Sequence, residues 1–203
     1  MSAAGAETIH VVDDDDAVRD SLAFLLRQAG YMVRAYAAGA ALLEAAPDGY
    51  GCIVSDYRMP EMDGLALQAA LSARGVRLPV IMMTGHGEVP VAVRAMKAGA
   101  IDFLEKPVEG GALLDAVARA LSTSQATVEA TARTLDAAER LARLTPRARE
   151  VLDLLVAGRT NKEIGRALGA SPRTIDVHRA RVFHKMEAET LPDLVRLAQD
   201  GRA

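Results

Sequence analysis

Five short apolar runs alternate with five amphipathic stretches over residues 1–121, and this alternation constrains the fold more than any other feature. The apolar runs have strand length and are bounded by Gly, Pro or Asp: Thr8–Val12, Met32–Tyr36, Gly51–Ser55, Pro79–Met83 and Ala100–Leu104. The stretches between and after them have helix length: Ala17–Ala29, Gly39–Ala46, Gly64–Ala73, Val89–Ala98 and Gly111–Leu121. Repeated strand–helix units of this size predict a five-stranded parallel sheet with helices on both faces, the doubly wound α/β class.

Residues 122–143 form the second segment of the chain. They contain no Pro or Gly and are rich in Ala, which predicts a helical linker that continues the last helix of the first domain. A heptad row runs along it, formed by Leu114, Leu121, Val128, Leu135 and Ala142. Because Ser124 and Thr131 interrupt the second row that a coiled coil needs, a short dimeric coiled coil and a single solvated helix both stay open.

Residues 144–203 contain four helical segments and no strand signal. Thr145–Pro146 and Ser171–Pro172 each combine a capping residue with a proline suited to the first helical position. The short helix Asn161–Leu168 ends at Gly169, and an Arg-rich helix, Arg173–Met186, follows. Two helices joined by a glycine turn are typical of a helix-turn-helix unit, so we predict a small all-α domain here.

The formal net charge of −3 is an average over segments of opposite sign. Residues 1–121 carry 16 acidic and 10 basic side chains, whereas residues 144–203 carry 8 acidic and 11 basic ones. This asymmetry indicates two domains with different partners. The absence of a secretory signal pattern and the single cysteine, Cys52, favour a reducing cytoplasm, and no apolar run is long enough to predict a membrane span.

Charged and hydroxyl side chains follow four of the predicted strands. Asp13 and Asp14 follow the first strand, Asp56 the third, Thr84 the fourth and Lys106 the fifth. In an open parallel sheet these ends meet at one edge. Clustered carboxylates favour Mg²⁺, and a lysine with a hydroxyl suits phosphoryl oxygens. The pattern therefore predicts an aspartyl-phosphate site with one carboxylate as nucleophile.

Each of these residues also has an ordinary interpretation when taken alone. Aspartates at strand ends are commonly solvated turn residues, and a lysine before proline is commonly a surface residue. The joint occurrence at four strand ends favours the functional interpretation. A rival hypothesis is a Mg²⁺-dependent phosphatase of the haloacid-dehalogenase type, in which Asp13 and Asp15 would form the nucleophile pair.

The motifs VVDDDD, SDYRMPEMDG, IMMTGHGEVP and DFLEKP resemble, in order and spacing, those of two-component receiver domains, and in particular the FixJ branch of the response regulators. The resemblance implies a CheY-like, flavodoxin-like fold with Asp56 as phosphoryl acceptor. It implies that Asp13, Asp14, Asp56 and the backbone carbonyl of Arg58 hold Mg²⁺, that Thr84 and Lys106 engage the phosphoryl group, and that Phe103 is an aromatic switch. A cis Lys106–Pro107 bond is also implied.

Along Arg173–Met186 the side chains divide into two stripes. We expect Ile175, Val182 and Met186 to be buried against Val151, Leu155, Ile164 and Leu168. The opposite face mixes arginine with small side chains, as a major-groove surface does. We predict DNA contacts from Lys162, Arg166, Arg173, Thr174, Asp176, Val177, Arg179, Ala180 and Arg181. Lys162 and Arg166 suit phosphates, and His178 is expected to be packed.

The segment LTPRAREVLDLLVAGRTNKEIGRALGASPRTIDVHRARVFHKM resembles the LuxR-type helix-turn-helix. The combined resemblance implies a transcription regulator, not an enzyme, that a sensor histidine kinase phosphorylates. It implies a homodimer when phosphorylated, with Val93 and Lys97 as dimer contacts, and promoter DNA and RNA polymerase as partners. A rival hypothesis keeps DNA binding but uses the receiver only for protein docking.

Overall fold

A computed structural model describes residues 7–85 and 89–202. The first part of the chain alternates strands and helices: β1 Thr8–Val12, α1 Asp16–Gln28, β2 Met32–Tyr36, α2 Gly39–Ala45, β3 Gly51–Asp56, α3 Gly64–Ala73, β4 Val80–Thr84, α4 Val89–Lys97 and β5 Asp102–Glu105. A long helix, α5 Gly110–Ala142, follows, and then α6 Pro146–Val156, α7 Asn161–Leu168, α8 Pro172–Met186 and α9 Leu191–Asp200. No helix in these ranges is both long and apolar enough to cross a membrane.

The five strands form one sheet in the order β2-β1-β3-β4-β5, and all neighbouring pairs are parallel. This confirms the predicted fold class. Alternate residues of the strands lie on opposite faces of the sheet. Ile9 and Val11 pack with α1 and α5, whereas Val12 packs with α2 and α3. The doubly wound arrangement brings the carboxyl ends of β1, β3, β4 and β5 to one edge.

The fifth strand begins two residues later than the sequence predicted. Gly99 adopts a left-handed conformation with φ of 94°, and the Ala100 N–H donates to the Ala95 carbonyl at 2.9 Å. Both residues therefore complete the end of α4, and strand pairing starts only after the chain has turned.

The described chain divides into two compact units, one ending at Val128 and the other beginning at Glu129. Helix α5 runs without a break through the residues predicted as a helical linker. In the second unit, Leu141 and Leu144 pack together with residues of helices α6, α7, α8 and α9 in a separate apolar core. Ile175, Val182 and Met186 are buried in that core together with Val151, Leu155 and Ile164, as the stripe along α8 predicted.

Candidate functional site

Four consecutive aspartates follow β1, and the structure gives them different roles. The Asp13 side chain is fully buried and accepts a hydrogen bond from the Asp15 N–H at 3.0 Å. Asp15 caps α1, because its carboxylate accepts from the N–H groups of Ala17 and Val18 at 2.8 and 3.2 Å. Asp16 forms an ion pair with Arg19. Only Asp13 and Asp14 of this run therefore face the site.

Lys106 joins the carboxylates at the sheet edge. Its Nζ lies 2.7 Å from Asp13 Oδ2 and 3.0 Å from Asp56 Oδ1. Burial disfavours the ammonium, but the hydrogen bonds and charges of Asp13 and Asp56 outweigh it, so the pKa of Lys106 is raised. The Lys106–Pro107 peptide is cis, as the resemblance implied.

Asp13, Asp14 and Asp56 converge closely enough to share one cation. One ligand oxygen from each of the three lies within 4.8 Å of the others. Asp56 is 6% exposed, and this burial raises its pKa above the ordinary value although Lys106 and the Tyr57 N–H oppose the shift. One ammonium faces three carboxylates, two of them buried, so the donor set fits a hard divalent ion such as Mg²⁺.

The residues that the resemblance assigned to switching lie on β4 and β5. Thr84 is 3% exposed, and its hydroxyl donates to the Gly85 carbonyl at 3.3 Å. The Phe103 side chain is 43% exposed and is not part of the sheet core. Residues 86–88, in the middle of the IMMTGHGEVP motif, lie outside the described residues.

An open groove of about 630 Å³ begins beside Asp14. Arg58, whose side chain is exposed, lines it, and so do Tyr57 and Arg94. The predicted dimer contacts Val93 and Lys97 are both exposed on α4.

Two further buried groups on the strands have structural roles. His10 is 3% exposed and stacks on Tyr36, and its Nδ1 lies 3.1 Å from the Tyr36 hydroxyl. Burial, with a smaller contribution from Arg34, lowers the pKa of His10 to about 4, so the ring is neutral at pH 7. Burial raises the pKa of Cys52 to about 12, which leaves an unreactive thiol.

In the second unit, α7 and α8 form the predicted helix-turn-helix. Thr160 and Glu163 make a reciprocal capping box at the start of α7, and Ser171 caps α8. Gly165 is required by close approach, because a Cβ there would lie 2.6 Å from the Ala170 carbonyl oxygen. The turn between the two helices is thereby fixed by local interactions.

Most residues predicted to contact DNA are exposed on α7 and α8: Lys162, Arg166, Arg173, Thr174, Asp176, Val177, Ala180 and Arg181. Arg179 is half-buried, with its guanidinium 5.5 Å from the Phe183 ring centroid and its Nη1 donating to Asn161 Oδ1 at 3.3 Å. Asn161 also donates to Asp176. The sequence analysis did not select Asn161 as a neighbour of the predicted DNA-contact residues. Its position as the first residue of α7 was the one local feature that could have drawn attention to it.

Comparisons with known proteins agree with both units. Residues 9–118 match the response regulator receiver domain, and residues 142–198 match the bacterial regulatory proteins of the luxR family. The chain is 50% identical to the transcriptional regulatory protein FixJ of Azorhizobium caulinodans, over 94% of this chain and 90% of that one.

Solved structures extend the likeness. The response regulator StyR is 39% identical, with a TM-score of 0.85 over 96% of this chain and 99% of that one. Full-length FixJ from B. japonicum is 46% identical, with a TM-score of 0.59 over 97% of both chains. With its acidic sheet edge and its helix-turn-helix, this chain belongs to the FixJ-like response regulators, which are transcriptional regulators with a receiver and a LuxR-type DNA-binding domain.

Proposed function

We propose that a sensor histidine kinase phosphorylates Asp56 and that the phosphorylated chain dimerises on promoter DNA and activates transcription. The observation that carries the proposal is the position of Lys106 Nζ, which lies within 3.0 Å of both Asp13 and Asp56. The Lys106 ammonium can therefore pair with the Asp56 carboxylate before the transfer and with the phosphoryl oxygens after it.

In the transfer step, one carboxylate oxygen of Asp56 attacks the phosphorus of a phosphohistidine. A P–O bond forms, the P–N bond breaks, and the electron pair returns to the imidazole nitrogen of the kinase. Lys106 and the Thr84 hydroxyl then bind phosphoryl oxygens. Asp13, Asp14, Asp56 and the Arg58 carbonyl would hold Mg²⁺, which supplies positive charge against the phosphoryl oxygens when bound. We expect at most slow self-dephosphorylation.

The new phosphate adds about −1.5 to −2 of charge at the sheet edge. In this proposal Thr84 turns towards it and Phe103 moves inward, which changes the surface of α4 and β5. Val93 and Lys97 then contact a second copy. The exposed position of both residues on α4 supports this role.

A dimer presents two copies of α8 to adjacent half-sites in the major groove. Arg173, Thr174, Asp176, Val177, Arg179, Ala180 and Arg181 would lie against the groove, and Lys162 and Arg166 would contact phosphates. We place the protein in the cytoplasm, with RNA polymerase as its partner at the promoter.

Light scattering with acetyl phosphate and Mg²⁺ tests the mechanism. We expect a shift from monomer to dimer in the wild type and in Asp48→Asn, an exposed control carboxylate. Asp56→Asn should abolish the shift. An unchanged response of Asp56→Asn, in dimerisation and in promoter activation, would instead favour a receiver that only docks proteins.

Mapping of the phosphorylated residue separates the proposal from a phosphatase. Phosphate on Asp56 supports a receiver. Stable phosphate on Asp13 would contradict it. The use of Asp15 as the cap of α1 already weighs against an Asp13–Asp15 nucleophile pair.

A further inference from the structure

Helix α4 turns small side chains inward and large apolar side chains outward in its described part. Ala92 and Ala95 are 4% and 0% exposed, whereas Val93 and Met96 are 49% and 45% exposed. Burial of alanine removes little apolar surface from water, so packing of these residues stabilises the position of α4 only weakly. Within residues 92–97, polar contacts therefore contribute much of what holds α4 in place.

Among the described residues, two hydrogen bonds tie the region of α4 to neighbouring elements. At its C-terminal end, Gln68 Nε2 of α3 donates to the Ala98 carbonyl at 2.9 Å. Nearer the acidic site, Arg94 Nη2 donates to the Tyr57 hydroxyl at 3.2 Å. Only the second bond reaches a residue adjacent in sequence to Asp56.

Backbone hydrogen bonds on both sides of Tyr57 fix its position. Its N–H donates to the Met83 carbonyl at 2.8 Å, and its carbonyl accepts from the Gly64 N–H at 2.9 Å. Its ring packs against the core formed with α2 and α3. With Arg94 it also lines the groove that begins at Asp14. The Tyr57 hydroxyl thus connects a hydrogen-bonded part of the site to α4.

We propose that Tyr57 and Arg94 are positioning residues that hold α4 in the orientation of the unphosphorylated receiver. Their bond limits how often the unphosphorylated chain presents its dimer surface. This inference rests on the proposed function and adds residues that control its resting level.

The direction of the effect follows from the described conformation. The Thr84 hydroxyl is bonded to the Gly85 carbonyl and Phe103 is exposed, which is the arrangement we assign to the unphosphorylated chain. A bond present in this state and broken in the other shifts the equilibrium towards the state that has it. Loss of the bond therefore favours the dimerising state without phosphate.

The test compares Tyr57→Phe, Arg94→Ala and the double variant by analytical ultracentrifugation of the full chain, with and without acetyl phosphate and Mg²⁺. Each variant should tighten dimerisation of the unphosphorylated chain roughly two- to fivefold, the effect of losing one solvent-exposed hydrogen bond to a charged donor. The dimerisation constant of the phosphorylated chain should not change, because the proposal assigns the bond to the unphosphorylated state alone.

Controls separate the bond from other effects of the substitutions. Tyr36→Phe removes a tyrosine hydroxyl that contacts His10 and should leave dimerisation unchanged. The double variant should match each single one, since all three remove the same bond. Additive effects would overturn the inference, because Arg94 would then act at the dimer surface itself.

Two further outcomes would also overturn it: unchanged dimerisation of unphosphorylated Tyr57→Phe, or failure of that variant to accept phosphate. The proposed function is judged separately by the wild type. If the wild type does not dimerise with acetyl phosphate, that function fails; if it does and Tyr57→Phe behaves identically, only the inference fails.

Discussion

At the residue scale, burial and hydrogen bonding divide chemically identical side chains between different tasks. Asp13 and Asp15 have the same carboxylate, yet one is buried against Lys106 and the other caps α1. The sequence predicted the first role. The second role also follows a sequence rule, because aspartate is favoured at a helix N-cap, but that rule applies only once the helix start is known.

Acidification should destabilise the receiver through His10. The unfolded chain binds a proton near the ordinary pKa of 6.5, whereas the folded chain binds it only near the lowered pKa of about 4. More protons are therefore bound in the unfolded state between these values, and stability falls as pH falls through this window. The loss attributable to His10 is on the order of 3 kcal/mol at full protonation of the unfolded state.

Urea denaturation of wild type and His10→Gln between pH 7 and pH 4 measures this contribution. The difference in the free energy of unfolding should narrow towards pH 4, since the variant lacks the titrating ring. His184→Gln, at an exposed site, is the control. A constant difference across the range would contradict the assignment.

Ser124 is predicted to anchor α5 to the sheet. Its side chain is 2% exposed, and its Oγ accepts from the Gly51 N–H at 3.2 Å. Ser124→Ala would leave that buried N–H without its partner, at a cost of about 1–3 kcal/mol in the free energy of unfolding. Denaturant unfolding measures it, with the exposed Ser122→Ala as control. Equal stability of the two variants would refute the anchor.

At the scale of elements, α8 combines a buried stripe with a surface whose side chains are partly ordered in advance. Arg179 donates to Asn161 Oδ1, and its guanidinium also lies 5.5 Å from the centroid of the Phe183 ring. Ordering before binding reduces the entropy that the side chain loses on DNA. The start of α7 would thus support the surface of α8 that we propose to contact DNA.

Asn161→Ala should therefore weaken specific DNA binding more than non-specific binding. We expect a loss of about 1 kcal/mol or more on a selected operator, since base-edge contacts by arginine contribute about 1–3 kcal/mol of discrimination. Fluorescence anisotropy on operator and scrambled duplexes at fixed salt measures both affinities. Arg196→Ala, on the exposed side of α9, is the control. An equal loss on both duplexes would assign Asn161 to phosphate contact instead.

At the scale of the whole molecule, α5 supplies residues to both compact units. Near the C-terminal end of α5, the side chains of Ala137 and Leu141 are 0% and 7% exposed. Arg140 Nη1 donates to the Met186 carbonyl at 3.0 Å, and its Nη2 lies 3.1 Å from Glu187. The C-terminal end of α8 is thus held by a residue outside the region that matches the luxR family.

A fragment of residues 129–203 should accordingly be more stable than one of residues 144–203, the boundary that the sequence predicts. The shorter fragment lacks Leu141 and the Arg140 contacts. We expect a difference of about 2–4 kcal/mol in the free energy of unfolding, from the lost apolar burial and the exposed end of α8. Thermal unfolding followed by circular dichroism measures it. Equal midpoints would support the boundary at 144.

The sequence alone determined the α/β class, the five strands, the acidic sheet edge and the helix-turn-helix. These features depend on local periodicity, on capping residues and on the rule that parallel strand ends meet at one edge. Asp13, Asp56 and Lys106 could be assigned because each lies at or directly after the carboxyl end of a strand.

Only the tertiary structure decided the contacts between residues far apart in the chain. Tyr57 meets Arg94, Gly51 meets Ser124, and Asn161 meets Arg179. Such pairs depend on how elements pack and on which rotamers fit between them, and no local pattern encodes either. The alanines of α4 were visible in the sequence, but the hydrogen bonds that join its described part to Tyr57 and to Gln68 followed only from the packed helix.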